Sequence, residues 1–241
     1  MNRALITFNE KEAREKAEQY FIRYCGLDLK VDKYIRMYTD AIKVRDDGIE
    51  GIQLSALISS FGPEVFSNRK IVYEGNEIYC EAFNRIPKEN VKKVYLYIIT
   101  AGECTFDPDD AIIKQLYADI WGTVYVDVGR DLLERVIEVD AENSLRDTPG
   151  GGGFLSTPIS PGFFGMRTEE SKNINAILSG EEIGISVRDN GIMLPLKTCS
   201  GLYLVVDDPD EMPEPECKDC IGSAGGCSLC KVMTERKRDN V

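Results

Sequence analysis

The run Val94-Tyr95-Leu96-Tyr97-Ile98-Ile99 constrains the fold of this chain more than any other segment. Side chains so uniformly apolar, aromatic and β-branched leave neither face fit for water, so the run predicts a central strand covered on both sides. Further strands are needed to build a sheet around it. Ile71-Val72-Tyr73 and Ile78-Tyr79-Cys80, separated by Glu74-Gly75-Asn76-Glu77, predict a hairpin around a glycine turn. Gly184 to Arg188 leads into Asp189-Asn190-Gly191, a second hairpin signal, and Leu202 to Val206 predicts a final strand. Thr100-Ala101-Gly102 predicts the end of the central strand, at a point where backbone can approach another group closely.

Helical periodicity fills much of the rest. Asn9 with Glu12 three residues on predicts a capped start, and Ala13, Ala17, Tyr20, Phe21 and Tyr24 recur at helical spacing until Gly26. A second helix is expected from about Asp32 to Val44, with Ile35, Tyr38 and Ile42 on one face, and a third, short one from about Ile52 to Ser60. Residues 1–60 thus read as a helical N-terminal part with a packing role. Asp107-Pro108-Asp109-Asp110 predicts a further helix start, and Ala111 to Glu142 a long helix, broken in two near Trp121-Gly122. Gly150 to Gly153 reads as a flexible connector, because no strand precedes it and no Lys-Ser/Thr follows as in a phosphate loop. A last helix is expected from Thr168 to Leu178.

The expectation for the whole is an α+β domain over residues 1–206: a twisted, mainly antiparallel sheet flanked by helices. Residues 207–216, rich in Asp, Glu and Pro, predict a stiff, solvated linker, and residues 217–241 a cysteine-rich tail.

A net charge of −12 argues against an extended nucleic-acid surface, which draws on clustered Lys and Arg. No apolar run is long enough to span a bilayer, and the N-terminal residues lack the apolar stretch of a signal peptide, so a cytoplasmic location is expected. The chain contains no histidine, which excludes Ser-His-Asp triads, His-paired cysteine nucleophiles and His-ligated catalytic zinc. Cys25, Cys80, Cys104 and Cys199 lie singly in periodic segments and read as small buried hydrophobes. Cys217, Cys220, Cys227 and Cys230 differ: they form two Cys-x-x-Cys knuckles, with Gly222, Gly225 and Gly226 between them. Paired thiolates at that spacing suit a tetrahedral metal or a cluster, and a reducing cytosol disfavours disulfides. The gap between the knuckles fits neither a typical zinc ribbon nor a compact ferredoxin run, so zinc and an iron–sulfur cluster both stay open.

Two further segments carry a family signal. Ser160-Pro161-Gly162-Phe163-Phe164-Gly165 is built as a rigid turn in which Gly162 opens the backbone to a ligand or loop. Met193-Leu194-Pro195-Leu196-Lys197-Thr198-Cys199-Ser200-Gly201 leads into the last strand, with Ser200-Gly201 read as a second bend. In order and spacing the two are similar to the x-P-G-Y and M-x-P-x-x-S-x-S-G elements of the activation domain of cobalamin-dependent methionine synthase. The likeness spans roughly residues 90–206. It implies a domain that binds S-adenosylmethionine while an electron donor reduces an inactivated cobalamin. It implies Ser160, Pro161, Gly162, Phe163, Ser200 and Gly201 as the ligand cleft. The family's turn reads R-x-x-x-G-Y, its arginine holding the ligand's carboxylate; here Pro158 stands at the arginine position and Phe163 at the tyrosine, with Arg167 a few residues beyond.

The implied role is that of an accessory protein in reactivation of a corrinoid protein, or in corrinoid-dependent methyl transfer. Without histidine to lie beneath a cobalt, the corrinoid would be carried by another chain, a corrinoid protein or cobalamin-dependent methyltransferase. In that context an iron–sulfur tail would relay electrons. The other reading is a non-catalytic binding or scaffold module with a structural zinc tail. No residue stands out as a general acid or base, so any chemistry would fall to the cofactors.

Overall fold

A computed structural model of the chain describes residues 3–48, 50–105, 111–146 and 152–212. Five strands make one antiparallel sheet: β1 (Ala4–Thr7), β2 (Glu50–Phe61), β5 (Val91–Thr105), β9 (Thr198–Val206) and β6 (Phe154–Leu155), in that order across the sheet. The continuous apolar run lies in β5, the middle strand, as expected. Its alternation assigns the two faces: Tyr95, Tyr97 and Ile99 face one core, with Tyr203 and Val205 of β9, while Leu96 and Ile98 face the other, with Leu202 and Leu204.

Three helices cover the first face: α1 (Glu10–Tyr24), α2 (Asp32–Lys43) and α3 (Ile112–Leu145). The second face is covered by the hairpin β3 (Lys70–Tyr73)–β4 (Asn76–Tyr79), by α4 (Ser171–Leu178) and by the small hairpin β7 (Ser186–Val187)–β8 (Met193–Leu194). Local chemistry accounts for several boundaries. The Asn9 side chain accepts from Glu12 N at 3.0 Å and starts α1, and Gly26 follows its end with φ +60. Glu74 and Gly75 both take positive φ, the geometry of a two-residue hairpin turn. Gly191 also has positive φ, and a Cβ there would stand 2.1 Å from the Thr168 carbonyl oxygen.

The structure corrects four expectations. The segment read as a third helix is strand β2: Ile52, Leu54, Ala56 and Ile58 alternate toward α3 and its neighbours, while Leu57 enters the opposite core. Leu54, Leu57 and Ile58 also match a helical spacing, and pairing with β1 and β5 decides the matter. The long helix is unbroken across Trp121-Gly122. Glycine costs a helix roughly 1 kcal/mol. Here Gly122 lets the methylenes of Lys197 lie against α3, and Gly129 admits Ile99 and Leu54, so the lost propensity is exchanged for close helix–sheet contact. The central strand runs past Gly102 to Thr105, with a shift of register against β2 and positive φ at Gly102 and Cys104. Finally, the stretch after Val206 does not leave the domain at once. Asn90 accepts from Asp208 N at 2.7 Å and donates to its carbonyl at 2.9 Å, and Met212 packs on the core. Of the remaining expectations, the Asp107-Pro108 helix start, Gly150 and Gly151, residues 213–216 and the cysteine tail lie outside the described residues. Among those described, no helix is long and apolar enough to cross a membrane.

One polar group in the first core gives a pH-dependent prediction. Tyr95 donates to Asp140 Oδ2 at 2.7 Å, and Lys93 Nζ lies 3.0 Å from the same oxygen. Burial disfavours the Asp140 carboxylate, but Tyr95 and Lys93 outweigh it and hold its pKa below the ordinary value. A depressed carboxylate adds stability above its unfolded pKa, about 3.9, and that stability is lost as pH falls through the folded value. Tyr95→Phe should therefore cost about 1.5 kcal/mol at pH 7, with the deficit shrinking below about pH 4. Urea melts at both pH values check this.

Candidate functional site

The segment from Ser160 to Met166 is two consecutive tight turns. Phe163 N donates to Ser160 O at 3.0 Å across Pro161 and Gly162, the latter with φ +90, as a type II turn requires. Met166 N then donates to Phe163 O at 2.9 Å across Phe164 and Gly165, both with positive φ. Phe164 is buried, and its carbonyl accepts from Ala82 N at 3.2 Å and from the Cys80 thiol at 3.2 Å, so the turn is anchored to the second core. Phe163 is left standing outward at 60% exposure, beside the open backbone of Gly162.

The second segment is fixed at the opposite end of the site. Lys197 Nζ reaches Asp119 at 2.6 Å and Thr123 at 3.0 Å on α3, and Thr198 Oγ1 donates to Thr100 Oγ1 at 2.8 Å. Ser200 and Gly201 lie within β9, opposite Ile98 and Tyr97, rather than in a bend before it. They part company across the sheet. Ser200 sits on the side of Ile98 and the second core, where its buried hydroxyl has no hydrogen-bond partner among the described residues. Gly201 sits on the side of Tyr97. A Cβ at Gly201 would stand 2.6 Å from Ser160 Oγ, 2.7 Å from Ile159 O and 2.7 Å from the Tyr97 hydroxyl. The two segments therefore meet. Ile159 and Leu202 exchange hydrogen bonds of 2.9 and 2.8 Å, and Tyr97 Oη lies 3.2 Å from Ser160 Oγ. Gly201 is what allows Ser160 to sit on the strand.

Sequence reasoning missed the polar groups gathered beneath this junction. Asp119, Thr123, Asp127, Arg130 and Glu134 recur at three- and four-residue intervals along one stripe of α3. Lys197 binds the start of that stripe, and Tyr97, Cys199 and Tyr203 lie under its far part, within electrostatic reach of Arg130. The Tyr97 and Tyr203 rings are 5.4 Å apart, and the Tyr203 hydroxyl is buried with no hydrogen-bond partner among the described residues. Burial raises both phenols above their ordinary value. Burial also pushes the Cys199 thiol up to about 12, which makes it inert. Asp127 is raised by burial, while Arg130, 3.3 Å away, pulls it back. The one signal that could have marked the cluster is the alternation Cys199, Gly201, Tyr203, which puts them on one face of a strand.

No family model matches the chain, and neither does any curated protein. Among solved structures, the crystal structure of the MetH reactivation domain bound to AdoHcy is similar to it. The TM-score is 0.57 over 98% of this chain and 89% of that one, at 13% identity. The chain has a methionine synthase reactivation-domain fold. Within that fold Arg167, the arginine nearest the Ser160 turn in sequence, lies on the outside, its side chain 77% exposed and 3.3 Å from Glu169. Pro158 is half-buried, one residue before the Ile159 bridge.

Described residues contain no group of three or more Cys, Asp or Glu able to hold a metal ion. Cys80 and Cys104 are buried, Cys25 and Cys199 partly so, and none of the four is bridged to another described cysteine. Cys217, Cys220, Cys227 and Cys230 lie outside the described residues.

Proposed function

We propose that this chain is an accessory protein of corrinoid-dependent methyl transfer. It binds an S-adenosyl ligand beside the Ser160–Phe163 turn and docks on a corrinoid protein carried by another chain. The observation that supports the reading is the meeting of Ser160 with Gly201 on a fold shared with a domain bound to AdoHcy. In this reading the exposed backbone of Pro161-Gly162 approaches the ligand, the open ring of Phe163 stacks on its adenine, and the Tyr203 hydroxyl gains a partner. The reactive chemistry belongs to the sulfonium and the cobalt, and this chain positions them. The four tail cysteines bind a metal, as an iron–sulfur electron relay or a zinc knob; their spacing is the whole of that argument.

Calorimetric titration of the purified chain tests the cleft, with saturable binding of S-adenosylmethionine and S-adenosylhomocysteine at one site as the expected result. Heat indistinguishable from dilution for both would remove the ligand from the reading. What would then stand is the second reading, a binding module that has kept the fold without the ligand, which Pro158 at the family's arginine position favours. Anaerobic purification with metal analysis decides the tail: iron with sulfide supports electron relay, stoichiometric zinc a structural knob.

A further inference from the structure

Phe164, the bulky central residue of the second turn, has φ +56, in the left-handed region. A side chain there crowds its own backbone, and turns with both central φ positive ordinarily carry Asn-Gly or Asp-Gly. Phe164-Gly165 fills those positions with a phenylalanine. Left to itself, such a pair favours the opposite hand, with Phe164 at negative φ. That change turns the chain about the Phe164 N–Cα bond. With the chain after Phe164 held, it is Phe163, the residue before, that swings out of place.

The disfavoured hand is held by three consecutive residues that follow β4. The Cys80 thiol and the Ala82 N–H both donate to the Phe164 carbonyl, each at 3.2 Å. Between them, Glu81 lies against Gly165, where a Cβ would stand 2.6 Å from the Glu81 Cβ. The Phe164 and Met166 side chains are buried in the second core, as are Cys80 and Ala82. Gly162 N donates to Met166 O at 2.8 Å, so the second turn cannot change hand without moving Gly162 as well. Strain of this kind persists only where the surroundings over-determine it. Its consequence here is the alternation of the two rings: Phe164 inward, and Phe163 outward at 60% exposure.

We propose that Cys80 is a positioning residue of the cleft: its thiol, with the Ala82 N–H, holds Phe164 left-handed and thereby sets Phe163 outward to meet the ligand. This rests on the reading of the cleft given above. The hairpin β3–β4 thus acts on the cleft through the turn.

The test is a cycle of variants read by calorimetric binding of S-adenosylhomocysteine, with urea unfolding of each. Cys80→Ala deletes the donor, and Cys80→Ser keeps one. Each is measured with Phe163 intact and in a Phe163→Leu background. Loss of one net hydrogen bond predicts a Kd raised roughly 3- to 10-fold in Cys80→Ala. Cys80→Ser should stay within about twofold of wild type, since a hydroxyl donates as the thiol does. In the Phe163→Leu background Cys80→Ala should add less than about twofold, because its effect runs through the ring that has been removed. Should the alanine variant not fold, Cys80→Val, which keeps the packing without the donor, takes its place in the cycle. A role confined to stability would lower the urea midpoint and leave Kd unchanged. Unchanged Kd in Cys80→Ala, no recovery in Cys80→Ser, or the same fold loss with and without Phe163 overturns the assignment and leaves the cleft reading standing. Failure of the wild type to bind S-adenosylhomocysteine overturns both.

Discussion

Replacing Trp121 with alanine is expected to destabilise the domain by about 3–5 kcal/mol, the range for removing a large aromatic from a closed core. The indole is fully buried, stacked 4.2 Å from Phe21, and its Nε1 donates to Ala41 O at 2.8 Å. The Arg45 guanidinium covers it, 4.9 Å from the ring centre. One side chain thus ties α1, α2, the turn after α2 and α3 together, and its removal leaves a cavity among helices that the sheet prevents from collapsing. Against a typical total of about 5–15 kcal/mol, such a loss brings the chain near its unfolding threshold. Trp121→Phe should retain most of the packing and lose one hydrogen bond, at a cost of about 0.5–1.5 kcal/mol, because the Ala41 carbonyl keeps the Val44 N–H. Because this is the only tryptophan, urea unfolding followed by far-UV circular dichroism is the suitable measurement. A loss below about 2 kcal/mol for the alanine variant, short of the range for a buried aromatic, would show that the helices pack by other means.

What was legible in the sequence is what is settled within a few residues. Asn9 with Glu12, Glu74-Gly75, Asn190-Gly191 and Pro161-Gly162 each encode a cap or turn locally, and each is where it was expected. The apolar run of β5 could be placed because a strand buried on both faces has no other use for such a sequence. Ile52 to Ser60 was misread because its periodicity is ambiguous and only its partners on either side resolve it. Gly122 was misread for the opposite reason: its local cost is real, but its gain is Lys197, far along the chain. The site shows the same division. The Ser160 turn was visible, while its contact with Gly201 and the position of Arg130 across the sheet depend on register and on which side of α3 faces β9. No local pattern carries that information. The resemblance supplied the pairing of the two segments, and the structure supplied the face: Gly201 toward Ser160, Ser200 away from it.

That face makes Gly201→Val the most demanding test of the site. The new Cβ alone would stand 2.7 Å from the Ile159 carbonyl oxygen, which is backbone and cannot rotate aside, and equally close to the Tyr97 hydroxyl. Relief requires the Ile159–Leu202 bridge to open, lifting the Ser160 turn off β9 and breaking hydrogen bonds of 2.9 and 2.8 Å. The expected loss is about 2–3 kcal/mol, at the upper end for overpacking, with far-UV dichroism retained because the β5–β9 ladder and the helices keep their own hydrogen bonds. Binding of S-adenosylhomocysteine should disappear with the junction. Gly162→Ala is the matched control: its φ of +90 strains alanine, but the nearest atom, Thr168 Cγ2, is 3.8 Å away, so the turn stays seated on the strand. It should cost about 1–2 kcal/mol from backbone strain alone and weaken binding without abolishing it. Adding Ser160→Gly to Gly201→Val removes the 2.6 Å contact but not the one with Ile159, so stability should recover only in part. Should Gly201→Val fold with wild-type stability and bind the ligand as before, Ser160 and β9 do not form one cleft, and the proposal of an S-adenosyl site loses its physical basis.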